Sequence, residues 1–191
     1  MEQDFTLKMA EAQYQPPTYL ETFHGSGVDR SMQYRQLGQT DLCTSYLGFG
    51  ASSLGSVFRA TDDAEACRVV QVALKRGINY IDTAPWYGHG KSEEVLGKAL
   101  RDIPREVFYI ATKVGRYNPN PAEMFDFSYN RTMASVGGSL ERLGLSYVDL
   151  IQAHDVEFAP SVDVVINETL PALQKIKESG KARFIGESSY H

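Results

Sequence analysis

Strand-like and helix-like segments alternate along this chain from about residue 46 onward, and that alternation restricts the folds open to it. Apolar runs read as strands at 46–49, 79–82, 107–112, 147–153 and 183–186. Between them lie segments with apolar residues at helical spacing. Asp62-Asp63-Ala64-Glu65 has the form of a capping box, and Cys67, Val70 and Leu74 carry an apolar stripe toward Gly77, a helix stop. Ser92 is expected to cap a second helix through Val95, Leu96, Ala99 and Leu100. A third helix runs through Val136, Leu140 and Leu143 to Gly144, and a fourth from about Val164 through Leu173 and Ile176 to Gly180. Successive strands stand about 30 to 40 residues apart, the length of one strand–helix unit with its loops.

Such a pattern demands a parallel sheet covered by helices, either open and doubly wound or closed as a TIM barrel. An open dinucleotide-binding sheet calls for G-x-G-x-x-G after its first strand, but the chain reads Gly48-Phe49-Gly50-Ala51-Ser52-Ser53 there, with serine in the last glycine position. A barrel places its chemistry at the C-terminal ends of its strands, and polar residues stand there: Asp82, Lys113, His154 and the pair Ser188-Ser189. The fold class expected is therefore α/β, a partial (β/α)8 TIM barrel of about five parallel strands and four helices. Eight units need about 250 residues, so a 191-residue chain is expected to be the front part of a longer barrel. From Met32 the segment MQYRQLGQTDLCTSYLGFG reads as a short hairpin that turns at Gly38 to Asp41. Residues 1–31 hold Pro16-Pro17 and Gly25-Ser26-Gly27 without sustained periodicity, and read as a flexible leader ahead of a barrel unit over 32–191.

Composition narrows the partners. Nineteen Lys plus Arg stand against 24 Asp plus Glu, for a net charge of −5, with no basic stripe, so nucleic acid is not an expected partner. No apolar stretch approaches the roughly 20 residues that span a bilayer, and the N-terminus lacks a signal-peptide pattern. The expected compartment is the cytoplasm, with no membrane partner. The two cysteines, Cys43 and Cys67, form no C-x-x-C and sit beside no histidine at metal-ligand spacing, so neither a disulfide framework nor a metal is expected.

Asp82 opens the loop segment DTAPWYGHG, in which Tyr87 follows; Lys113 ends the third strand in ATKVG and His154 the fourth in IQAHD. Taken singly, each has an ordinary reading as a turn cap, a solvated cation or a hydrogen-bonded core imidazole. Together, at the same end of three consecutive strands, they make complementary chemistry. A phenol works as a general acid or base when a neighbouring ammonium favours its ionised form. Asp82 would hold that ammonium in place, and His154 would hydrogen-bond and orient a substrate oxygen. The set suits proton transfer coupled to hydride transfer with a nicotinamide.

These four residues resemble the aldo-keto reductase superfamily, as do Y-G-x-G-x-S-E-x-x-L-G at Tyr87 to Gly97 and R-F-I-G at Arg183 to Gly186. Further motifs are similar to the branch of L-galactose dehydrogenase and related aldose 1-dehydrogenases: Lys113-Val114-Gly115-Arg116-Tyr117, Phe125-Asp126-Phe127-Ser128, His154-Asp155-Val156-Glu157-Phe158 and Glu168-Thr169-Leu170-Pro171-Ala172-Leu173. The resemblance implies that Asp82, Tyr87, Lys113 and His154 are the catalytic tetrad, with Tyr87 giving or taking the proton. It implies NADP or NAD as cofactor, contacted by Gly50, Ala51, Asp82, Ser188 and Ser189, and an aldose oxidised at C1 to a lactone, or a small carbonyl compound, as substrate. Ser189 departs from the asparagine common in the family. The opposing expectation is a catalytically inactive fragment or isoform with at most an interaction role, since the strands that complete a barrel are absent.

Overall fold

The computed structural model describes residues 15–28 and 31–190. A hairpin of β1 (Tyr34–Gln36) and β2 (Cys43–Ser45) precedes five parallel strands: β3 (Phe49–Gly50), β4 (Tyr80–Asp82), β5 (Tyr109–Val114), β6 (Val148–Ala153) and β7 (Ala182–Glu187). Their order in the sheet is their order in the chain. That is how strand–helix units follow one another around a barrel wall, whereas an open doubly wound sheet reverses direction part-way.

Four helices cover one face: α1 (Asp63–Lys75), α2 (Lys91–Leu100), α3 (Tyr129–Leu143) and α4 (Leu170–Glu178). The Asp62 carboxylate accepts from the Glu65 amide at 2.8 Å and starts α1. Gly144, at φ +65°, ends α3 in the left-handed conformation that glycine adopts without strain. Ile81, Ile110 and Ile151 point from successive strands into one cluster with Val70, Leu74, Leu96, Val136, Leu140, Leu173 and Ile176 of the helices. Full burial of such a side chain contributes about 1.5–3 kcal/mol, which makes this layer the main support of the sheet. None of the described helices is long and apolar enough to cross a membrane.

Two local expectations are revised. The first barrel strand, expected over 46–49, is only Phe49–Gly50. The hairpin continues to Ser45, whose amide donates to Asn79 Oδ1 at 2.7 Å, and Tyr46 and Leu47 are left exposed in the connection. Ser92 does not cap α2. Gly90, at φ +98°, starts the helix earlier, and the buried Ser92 hydroxyl instead donates to the Ala51 carbonyl at 2.7 Å and lies 2.9 Å from Thr83 Oγ1. The fourth helix begins where the sequence places it: Val162–Val164 leads through a π segment, Val165–Thr169, directly into α4, and the buried Thr169 hydroxyl donates to the Phe127 carbonyl at 2.6 Å.

Part of the segment that reads as a flexible leader is packed. Thr18 and His24 are buried, and Leu20 and Phe23 rest against the core. The Asn79 amide group donates to Thr18 Oγ1 and to the Cys43 carbonyl, so this segment and the hairpin meet at the N-terminal end of β4. The rest of that expectation, residues 1–14, 29 and 30, lies outside the described residues. At the same end the buried Asp149 carboxylate accepts from Arg105 at 2.5 Å and Arg183 at 2.8 Å, and Arg183 also grips Asp41 of the hairpin turn. The opposite end of the strands is left for chemistry.

Candidate active site

Sheet register brings the polar strand ends together. Asp82 pairs with Ala111, and Lys113 lies two residues beyond Ala111, hence on the same face. Lys113 pairs with Gln152, and His154 lies two beyond Gln152. The His154 amide continues the ladder by donating to the Val114 carbonyl at 2.8 Å. Asp82, Lys113 and His154 therefore share the sheet face turned away from the helix layer, each one step further along its strand than its predecessor.

The Lys113 ammonium is the centre of the site. It is 5% exposed and donates to Asp82 Oδ1 at 2.6 Å, to the Thr83 carbonyl at 3.0 Å and to Tyr87 Oη at 3.3 Å. An ammonium has three donors, and all three are used. Burying this charge without Asp82 would be costly, so the carboxylate both neutralises and aims it. The His154 ring meets the Tyr87 ring edge to face, with centroids 5.9 Å apart and planes at 88°. Burial, then the nearby Lys113 and Arg116 cations, push the His154 imidazole down to about 3, with Glu157 acting weakly in the other direction. The ring is therefore neutral at physiological pH, and its buried Nδ1 has no hydrogen-bond partner among the described residues.

Tyr87 is placed by backbone contact. A side chain at Gly55 would stand 2.4 Å from the Tyr87 carbonyl oxygen, and one at Gly88 would stand 2.1 Å from the Gly55 carbonyl oxygen. Only glycines allow the turn after β3 and the Tyr87 loop to approach this closely. Behind the loop, Glu93 of α2 is fully buried and accepts from Thr112 Oγ1 at 2.6 Å and Arg142 Nε at 2.8 Å. The serine and glutamate of the S-E-x-x-L-G motif thus serve to dock α2, not to meet a ligand.

The five residues expected at the cofactor occupy different settings. Gly50 is exposed, pairs with Asp82, and has no atom within 4 Å of where a side chain would stand. Ala51 is fully buried, its amide donating to the Asp82 carbonyl and its own carbonyl accepting from Ser92. The Ser188 hydroxyl is turned to the end of β6, accepting from the Asp155 amide at 3.3 Å, while Ser189 is exposed. Sequence reasoning gave no role to Trp86, Arg116 and Asp155, which gather beside His154: Arg116 Nη1 donates to Asp155 Oδ2 at 2.6 Å and its guanidinium lies 4.2 Å from the Trp86 ring centre. Arg116 and Asp155 did fall in quoted motifs, but only the fold joins them.

The model of the Aldo/keto reductase family matches residues 46–191. The chain belongs to the aldo-keto reductase family. Among aldo-keto reductases and other relatives, it is 49% identical to L-galactose dehydrogenase of Arabidopsis thaliana over 157 residues, covering 81% of this chain and 48% of that protein. It is 38% identical over 163 residues to D-threo-aldose 1-dehydrogenase of a Pseudomonas species, covering 75% and 49%. Among solved structures, the holo form of an aldo-keto reductase from Bacillus halodurans superposes with a TM-score of 0.72 at 39% identity, over 83% of this chain and 51% of that one. The chain spans about half the length of the curated relatives it matches. Its strands and helices form the corresponding part of an aldo-keto reductase barrel.

Proposed function

We propose that this chain carries the proton-transfer machinery of an NAD- or NADP-dependent oxidoreductase that oxidises an aldose of the L-galactose type at C1 to the lactone. The observation that carries the reading is the triply bonded Lys113 ammonium, which joins the Asp82 carboxylate to the Tyr87 phenol in a buried setting. Relatives named as L-galactose dehydrogenase and D-threo-aldose 1-dehydrogenase support the substrate class. The nicotinamide, when bound, supplies the hydride acceptor at the sugar C1.

The residues of this chain do the rest. Tyr87 Oη takes the proton of the anomeric hydroxyl as the C1–H bond gives up its electron pair and the C1=O bond forms. In the reverse direction the same oxygen returns the proton. Lys113, donating to Tyr87 Oη, stabilises negative charge on that oxygen, and Asp82 keeps Lys113 charged and aimed. His154 is neutral, so it offers a hydrogen bond to the substrate oxygen without competing for its proton. The open backbone at Gly50 adjoins Asp82 in register, and Ser188 and Ser189 follow the end of β7. Gly50, Ala51, Asp82, Ser188 and Ser189 would hold the cofactor.

The test is a panel of aldoses and small aldehydes assayed with NAD and NADP. Oxidation of L-galactose-type sugars with lactone release is the expected result. Turnover confined to small aldehydes would overturn the aldose assignment.

A further inference from the structure

We propose that Arg116 is a positioning residue of this site: clamped by Asp155 and sandwiched between Trp86 and Phe125, it ties the loop that carries Tyr87 to the turn that follows His154. The inference rests on the active site proposed above and adds the device that holds two of its walls together. The Arg116 guanidinium carbon lies 4.2 Å from the Trp86 ring centre and 5.3 Å from that of Phe125. Phe125 in turn stacks on Phe158 at 4.8 Å with planes 13° apart. Trp86 meets His89 edge to face at 5.2 Å. A row of planar groups therefore runs from Phe158, just past His154, to the residues flanking Tyr87.

The row is anchored at its middle. Arg116 Nη1 donates to Asp155 Oδ2 at 2.6 Å, in a pair whose side chains are only 21% and 6% exposed. Asp155 stands at φ +54°, in the left-handed region that aspartate and asparagine enter more readily than most residues, and its amide donates to Ser188 Oγ. That turn directly follows His154, whose own amide is held by the Val114 carbonyl at 2.8 Å. Arginine suits the place because one planar group can pair with a carboxylate and stack on two rings at once, which a lysine ammonium cannot do.

Trp86 is the single tryptophan of the chain, so its fluorescence reports the sandwich without any substrate. Arg116→Lys keeps the charge and loses the plane; Asp155→Asn keeps the size and the left-handed turn and loses the charge. Both should shift the emission of Trp86 and raise its quenching by acrylamide. Both should also lower kcat by about 10- to 100-fold, the cost of misplaced reacting groups, with a smaller change in KM. A Trp86 response in variants of a protein that lacks aldose oxidation would support the clamp while the functional reading fails. Unaltered Trp86 emission and quenching in folded Arg116→Lys and Asp155→Asn proteins would overturn the clamp even where the wild type oxidises aldoses.

Discussion

Burial and two cations, Lys113 and Arg116, keep His154 neutral, and that leaves a mark on stability as well as on chemistry. Its folded value of about 3 lies below the ordinary 6.5, so between those limits the unfolded chain binds more protons than the folded one. Stability is therefore lost as pH falls from about 6.5 toward 3, by at most about 1.4 kcal/mol per pH unit for one such group. The buried His24 is shifted in the same direction by burial. Urea unfolding at pH 7 and pH 4.5 should show this loss, and His154→Gln should reduce it; equal losses in both proteins would contradict the assignment. At this scale the sequence was legible where chemistry follows directly from a strand end, as at Asp82, Lys113 and His154. It was not legible for Arg116 and Asp155, because 39 residues separate the pair and neither has a meaning until β5 and β6 are neighbours.

Among the elements, the contact between the Gly55 turn and the Tyr87 loop decides where the phenol stands. Gly55→Ala places a methyl 2.4 Å from the Tyr87 carbonyl oxygen, and backbone on both sides leaves no flexible side chain to give way. We expect about 1–3 kcal/mol of lost stability from overpacking, and a kcat lowered by about 10- to 100-fold as the phenol moves away from Lys113. Chemical denaturation and steady-state kinetics check the two effects; an alanine variant with native kcat would show that the loop is placed by other contacts. Helices α1 and α3 were readable because capping residues and apolar spacing agree with each other, as at Asp62 and Gly144. β3 was not, because Tyr46 to Phe49 is apolar like a strand yet its first two residues lie exposed in the connection from the hairpin. Ser92 misled for a related reason: a residue type favoured at caps is equally suited to bridging two strand ends when a left-handed glycine precedes it.

Across the whole molecule, the five-stranded sheet has its edges at β3 and β7. Apolar side chains stand in water near both edges, Val69 and Val72 on α1, and Val162, Ile166 and Leu170 around α4. Unpaired edges beside apolar surface favour pairing with another chain, and a net charge of −5 opposes it only weakly at physiological salt. The 191-residue polypeptide should therefore self-associate with rising concentration; sedimentation that reports a monomer at all concentrations would contradict this. The sheet also sets the three ionisable strand ends on one face, with Tyr87 supplied by the β4–α2 loop, and the central claim is that Tyr87 transfers the proton. The most direct measurement is single-turnover aldose oxidation by the Tyr87→Phe enzyme, with cofactor binding followed in parallel through Trp86 fluorescence. The expected result is cofactor binding as in the wild type and hydride transfer slowed by about 10²- to 10⁴-fold, the scale of a lost general base; hydride transfer at the wild-type rate would contradict it.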